Sequence, residues 1–307
     1  MKLITTTFRE AMRTPGFSLL YMGGVAFTVA FTLIYGLLLY AQLGPVYPEY
    51  NRSNTVYVPL TLYKTDKYSY TTSLGRALIE EHLRDKLESV EDMTVMVSYN
   101  MGYPMVKPDG DRPEFHVEMR QTEPSFFKFY PYRFLAGTPF SQADFESKRS
   151  VAVISDKVAA RLFASPEEAV GRYISIDHID YRITGVFAEA SALCVDSYGE
   201  VFIPYDEEIN TKTPWPRNLG GSLKAILHVK PGQEQKLRDE LTDLCRRVNT
   251  TDTTGVQFYI PLVNNHKEHI LTEASIDWDD LHYTVSPAAS PLTLYKPFLI
   301  AFAVVLL

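Results

Sequence analysis

The pattern closest to a metal-ligand spacing is the run His266-Lys267-Glu268-His269. Two imidazoles three residues apart share one face of a helix and can close on a metal ion if a third ligand joins them. No third ligand stands near them in sequence, and the run reads as a solvated loop. Asp277, Asp279 and Asp280 flank Trp278. Paired carboxylates do acid–base work only inside a pocket, and without one these read as a solvated connector. His178 falls between two alternating segments, as a polar turn residue does. Cys194 and Cys245 are the only cysteines; their separation along the chain says nothing of their distance in space, and two isolated buried thiols are the reading preferred over a disulfide. The aromatics Phe126, Phe127, Phe129, Tyr130 and Tyr132 read as core packing in preference to an exposed binding stripe. The sequence holds no G-x-x-x-x-G-K-[ST], G-x-S-x-G, H-E-x-x-H or C-x-x-C. Nothing in it points to an enzyme.

The elements that must position these residues begin with a membrane helix. No charged side chain occurs between Arg13 and Glu49, and Phe17–Leu43 is almost wholly apolar. A bilayer core about 30 Å thick takes roughly 20 apolar residues of helix, and this run exceeds that. It is too long for a signal-peptide core and ends without a small-residue cleavage site, so a retained helix is expected over 16–43. Lys2, Arg9 and Arg13, opposed only by Glu10, place residues 1–15 on the cytoplasmic side as a basic, amphipathic segment. Gly24, Thr28, Thr32 and Gly36 recur every fourth residue and form a stripe of small side chains, the pattern by which helices pack closely in lipid. The first fourteen residues carry +2 of a total charge of −7, leaving −9 for the rest of the 307 residues. Such an acidic exterior excludes nucleic acid as a partner.

Beyond the membrane the chain is long enough for one large or two small domains. Asn54–Tyr63 reads as a strand, Leu74–Glu88 as a helix capped by Ser73, and Met93–Tyr99 as a strand. The same order returns in the strand Ser222–Val229, the helix Gln233–Asn249 and the strand Val256–Leu262. Between them lies a mostly β stretch. Phe115–Thr122 and Ser150–Ile154 are strands, Ser155 caps a helix over Asp156–Ala164, and Gly171–Ile176 pairs with Tyr181–Phe187 as a hairpin. The fold class is therefore α+β, with 45–104 and 218–290 forming one subdomain outside the cytoplasm and 105–217 an inserted, mainly β one. The apolar end, 295–307, reads as the start of a second membrane helix.

These features together resemble the permease subunits of MacB/FtsX-type ABC transporters. The resemblance rests on Phe8-Arg9-Glu10-Ala11-Met12-Arg13-Thr14-Pro15-Gly16-Phe17, on Ser125-Phe126-Phe127, on Leu135-Ala136-Gly137, on Val151-Ala152-Val153-Ile154-Ser155 and on Tyr181-Arg182-Ile183-Thr184-Gly185-Val186, in that order. It implies a porter-like subdomain with a sabre-like insertion, a location in the bacterial inner membrane, and three further membrane helices that are absent here. It implies no cofactor in this chain, ATP being hydrolysed by a cytoplasmic ABC ATPase on a separate subunit or domain. Further implied partners are a second permease copy or paired permease, the bilayer, and a periplasmic adaptor or cell-wall hydrolase. The implied activity is export or mechanotransmission. A membrane-anchored sensor that binds a ligand is the alternative, and an anchored periplasmic enzyme a more distant one.

Overall fold

The computed structural model describes residues 15–98, 104–108, 112–205, 219–251 and 255–272. The chain opens with α1 (Pro15–Leu43), which carries no charged residue. Its stretch Ser18–Leu43 is long and apolar enough to cross a membrane, and Leu19, Leu20, Phe27 and Leu37 stand open, as side chains do when lipid is to be their solvent. Then come β1 (Thr55–Val58), β2 (Thr61–Lys64), β3 (Ser69–Leu74), the short helix α2 (Arg76–Leu78) with a π turn at Ile79–Leu83, and β4 (Val90–Val97). The middle of the chain forms β5 (Met105–Lys107), β6 (Phe115–His116), β7 (Met119–Thr122), α3 (Phe126–Phe129), β8 (Phe134–Gly137) and α4 (Gln142–Glu146). It continues through β9 (Val151–Ser155), α5 (Asp156–Leu162), α6 (Pro166–Ala169), β10 (Tyr173–Ile176), β11 (Ile179–Phe187) and β12 (Val201–Pro204). Last are β13 (Gly220–Gly221), β14 (Leu223–Val229), α7 (Glu234–Thr250), β15 (Gln257–Tyr259), β16 (Asn264–Asn265) and α8 (His266–Thr272).

The strands join in one continuous ladder, β15-β2-β3-β14-β4-β7-β12-β9-β11-β10-β5-β6, with β1 bonded to β14 and β16. Among the described residues the two parallel pairings are β9 with β11 and β7 with β12. Chain from before residue 98 and after residue 219 therefore interleaves: β14 lies between β1 and β4, antiparallel to both. The fold is α+β, as the alternating strand and helix patterns predict.

Three apolar clusters hold it. One joins β1–β4, β14, β15 and α7 through Val58, Leu74, Val95, Leu223, Leu237 and Leu241; Leu237, Leu241, Leu244 and Val248 form the buried face that the spacing predicts. A second is aromatic, with Phe126, Phe127, Phe129, Tyr130, Tyr132, Phe187 and Phe202. Core packing is thus where those aromatics go. The third gathers Val106, Ala152, Ile154, Ile174, Ile183 and Val201. The hairpin between β10 and β11 turns on Asp177 and His178, both at positive φ (46° and 67°), the conformation a two-residue turn demands and Asp tolerates better than most residues. His178 is an exposed turn residue, as expected.

Three elements differ from expectation. Phe115–Thr122 is two short strands, β6 and β7, divided at Val117-Glu118. Asn54–Tyr63 is two strands, because Pro59 has no N–H to give a ladder. The helix predicted over Leu74–Glu88 is shorter, running only from Arg76 to Leu83 with its second part a π turn. Ser73 and Leu74 lie in β3, paired with Gly221 and Gly220, so Ser73 caps nothing. Of the residues meant for the helix's apolar face, Leu74, Leu78, Ile79 and Leu83 are buried and Leu87 is half-buried; sheet pairing overrides local helical preference at the start of the segment while keeping most of the same side chains inside. Ser155 does cap α5, its Oγ accepting from Val158 N, although the helix stops at Leu162, short of Ala164.

Phe202 meets the rings of Phe126, Phe127, Tyr132 and Phe187 at 5.2 to 5.7 Å between centroids. Phe202→Ala is expected to cost about 3–5 kcal/mol in urea unfolding. Tyr173→Ala, at an exposed site, should stay within about 0.5 kcal/mol.

Candidate functional site

The charges that end the apolar stretch do not face solvent. After α1 the chain leaves through Gly44, whose N–H bonds Tyr40 O at 2.7 Å. A Cβ at residue 44 would sit 2.7 Å from that oxygen and 2.8 Å from the Tyr40 ring, so only glycine lets the chain fold back this tightly. Arg52 then returns beneath the helix end, 4% exposed. Its Nη1 donates to Ala41 O and Gly44 O, both at 2.7 Å, its Nε to Glu49 Oε2 at 2.6 Å, and its Nη2 to Cys194 Sγ at 3.3 Å. The last carbonyls of a helix have no partner within it, and a cation there also meets the negative end of the macrodipole. Glu49, 2% exposed, is held in turn by Ser197, whose Oγ donates to Oε1 at 2.6 Å and whose N–H donates at 3.3 Å.

A further carbonyl of the last helical turn, that of Gln42, is held by His266. Its Nε2 lies 2.8 Å from Gln42 O, and its Nδ1 lies 3.0 Å from Tyr57 Oη. Because a carbonyl only accepts, Nε2 carries the hydrogen, and in the neutral ring Nδ1 accepts from the Tyr57 hydroxyl. Tyr57, on β1, stacks flat on His269 at 4.0 Å between centroids and 9° between planes. His269 Nε2 is 2.9 Å from Asp196 Oδ2, and Lys224 Nζ on β14 binds Asp196 Oδ1. Asp196 and Lys224 are 3% and 6% exposed.

Burial alone would raise the Asp196 carboxyl, yet His269 and Lys224 outweigh it and hold the group far below the usual carboxylate range. Burial, reinforced by Asp196 and Glu49, pushes the Tyr57 phenol well above its ordinary value, so it stays a neutral donor. The Cys194 thiol is pushed up to about 11, chiefly by burial and then by Glu49; Cys245, on α7, is pushed up to about 11 by burial. Both cysteines are free and buried, as expected. A buried thiol this far from ionising is a poor nucleophile. The groups of this cluster satisfy one another, so it fixes position; it does not present a reacting atom.

Sequence reading placed His266 and His269 in a solvated loop, and the structure corrects this. They stand on α8, 7% and 5% exposed, because one bonds the end of α1 and the other stacks on Tyr57. Among the described residues no group of three or more metal-ligating side chains gathers. Gly24, Thr28, Thr32 and Gly36 follow one another along α1, away from this cluster. Thr32 Oγ1 donates to Thr28 O at 3.0 Å, Thr28 is buried, and a Cβ at Gly24 or Gly36 would meet nothing within 4 Å. Lys2, Arg9, Arg13, Asp277, Asp279, Asp280 and the segment 295–307 lie outside the described residues. Glu49, Arg52, Asp196 and Lys224 were missed in the sequence. Glu49 and Arg52, the first charges after the apolar run, carried the only signal; Asp196 and Lys224 carried none.

Among the described residues one cavity lies beside the cluster and another lies far from it. A groove of about 500 Å³ beside the exit of α1 is lined by Leu43, Pro45, Tyr50, Ser53, Asn265 and Lys267 among others. A basin of about 510 Å³ on the β5–β10 side is lined by Lys107, Arg112, Arg172, Tyr173, Ser175 and Asp180 among others.

Residues 18–244 match the family described as the MacB-like periplasmic core domain. The chain is similar to the pyoverdine export ATP-binding/permease protein PvdT of Pseudomonas savastanoi pv. phaseolicola, 38% identical over 71 residues, 22% of this chain and 11% of the relative. It is 30% identical over 106 residues to the protein of the same description in Pseudomonas entomophila, 34% of this chain and 16% of the relative. The matched stretches are thus a small part of these relatives' length. A domain of a candidate permease protein from Porphyromonas gingivalis shares the fold at a TM-score of 0.52 and 14% identity, covering 72% of this chain and 92% of that one. The periplasmic region of MacB from Actinobacillus actinomycetemcomitans aligns at a TM-score of 0.45 and 13% identity, over 70% and 90% of the two chains.

Lys224→Met alone leaves Asp196 buried with only His269 beside it, and is expected to cost about 3–5 kcal/mol in chemical unfolding. Adding Asp196→Asn should recover part of that loss, because the stranded charge is then gone. The depressed Asp196 value gives the sign in acid: its contribution is present above 3.8 and lost as pH falls below it. The double variant should therefore lose less stability in acid than the parent.

Proposed function

The chain belongs to the MacB-like periplasmic core domain family, and from that membership we propose that it is the front part of an ABC exporter permease of the MacB/FtsX type. In this reading α1 is the first of several membrane spans, its N-terminal side cytoplasmic, and the α+β body stands in the periplasm. Residues 45–104 and 218–290 form its porter-like part and 105–217 the inserted sabre-like part. A cytoplasmic ABC ATPase, on a separate subunit or domain, hydrolyses ATP. Two permease copies, or this and a paired permease, face each other, and the stripe Gly24, Thr28, Thr32 and Gly36 serves helix packing within the bilayer. The relatives named for pyoverdine export favour outward movement of a small molecule.

The observation that carries this reading is the fastening of α1 to the body. Arg52 and His266 together hold two carbonyls of the helix's final turn and that of Gly44 just beyond it. A tether needs no such contact, since a flexible loop would serve. A helix whose displacement must reach the domain requires a stiff connection, and buried charge-assisted hydrogen bonds supply one. The cluster presents no reacting group, in keeping with transmission of movement over catalysis. The second reading, a membrane-anchored sensor, draws on the basin lined by Lys107, Arg112 and Arg172, which is of a size to hold a small ligand.

Affinity capture of the native, full-length gene product from its own membranes separates the two. Recovery of a protein carrying G-x-x-x-x-G-K-[ST] is expected, and capture of a cytoplasmic kinase or cyclase instead would establish the sensor. A phosphatase reporter fused after Gly255 should be active outside the cytoplasm, and one fused after Thr14 inactive. Arg52→Ala should leave the protein in the membrane while abolishing ATP-dependent export.

A further inference from the structure

We propose that His266 is a proton-operated latch: uncharged, it ties the end of α1 to the domain, and on taking up a proton it releases that tie. The inference rests on the transmission reading only in that the joint it regulates is the one that reading uses.

The geometry allows His266 one state. Nε2–H donates to Gln42 O, and Nδ1 accepts from Tyr57, so the neutral ring has a partner for each nitrogen. A proton arriving from solvent can bind only at Nδ1, whose lone pair already takes the Tyr57 hydrogen. That hydrogen must turn away, and the phenol, 1% exposed, must find another acceptor; the Tyr130 hydroxyl is the adjoining group. The new charge would be 7% exposed, with the Arg52 guanidinium already in the cluster. Every element packed here contributes to the balance. From the exit of α1 come Glu49 and Arg52, from β1 Tyr57, from the segment after β11 Asp196 and from β14 Lys224. From α8 itself come Lys267, Glu268 and His269, and from α7 come Glu234, which lines the same groove as His266, and Arg238, which is paired with Glu268. Burial lowers the imidazole; the Gln42 carbonyl, Glu49 and Asp196 pull it up and Arg52 down, and the net value lies below the ordinary 6.5.

The sign follows from linkage. A base whose value is lower in the fastened state than in the released state binds more protons when released. The tie is therefore fully present above 6.5 and weakens as pH falls below it, by up to about tenfold in the released population per pH unit. An aqueous periplasm follows the external medium, so an acid surrounding would uncouple helix from domain at this point. The device is also reversible without any covalent change.

Hydrogen exchange on the whole chain in lipid nanodiscs, with no ATPase present, tests the latch independently of the transport reading. After correction for intrinsic rates, amides of 40–58 should exchange faster at about pH 5 than at about pH 8, by up to about tenfold per pH unit below the release point. His266→Gln keeps an N–H that reaches Gln42 O but does not titrate; it should abolish the pH dependence while preserving protection at about pH 8. Tyr57→Phe removes the donor to Nδ1 and should move the midpoint upward, which a merely structural loss would not do. His269→Gln should leave the dependence in place. Equal protection of the native chain at both pH values, or a pH dependence that survives in His266→Gln, would overturn the proposal. Failure to capture an ATPase would leave it standing, because exchange is read without one.

Discussion

A helix that crosses a bilayer satisfies its backbone internally everywhere except at its ends, and the last carbonyls must find donors where lipid gives way to water. In many membrane proteins water serves. Here the donors are side chains of the domain that the helix carries: Arg52 and His266 take the Ala41, Gln42 and Gly44 oxygens. The remaining architecture follows from that choice. A guanidinium removed from water needs a carboxylate, which Glu49 provides, and the second oxygen of Glu49 needs donors, which Ser197 provides. Ser197 is held in place beside Asp196, and Asp196 beside Lys224 and His269. One unsatisfied helix end thus recruits groups from four separate parts of the chain.

Those groups can meet because the sheet brings distant segments together. β14, carrying Lys224, lies between β1 and β4, and β1 presents Tyr57 to α8 while its edge bonds β16. The aromatic cluster lies behind, with Tyr132 donating to Ser197 O and Tyr47 donating to Ala188 O. Close-packed rings in edge contact leave the polar groups little room to rearrange. The joint is rigid because its second layer is.

Legibility in the sequence followed the length scale of each interaction. Elements set by local pattern were readable: the apolar helix, the amphipathic face of α7, the Ser155 cap, the Asp177-His178 turn. The region of Ser73 and Leu74 was misread because its pairing partner, Gly220-Gly221, is far away in the chain, and a long-range ladder outweighed a helical pattern. The joint was less legible still. A lone Arg after a membrane helix is ordinary, and nothing local marks Asp196 or Lys224 as buried. The spacing of the two histidines suggests either a metal pair or a solvated loop, while the structure uses them to bond a carbonyl and to stack on a phenol.

The ladder also has a mechanical meaning. From β14, at the joint, to β5, beside the basic basin, the order runs β14-β4-β7-β12-β9-β11-β10-β5. At about 4.8 Å per step, these seven spacings make an unbroken arm of roughly 35 Å, shortened somewhat by twist. A tilt of about 10° at the Arg52 end of such an arm would sweep the far edge through roughly 6 Å, about the width of one strand and its side chains. An error of fit too small to notice at the pivot is thereby magnified into a displacement large enough to open or close a surface. In the proposed transmission, the hydrogen-bonded continuity of the sheet would act as a lever with its fulcrum at the Arg52 end.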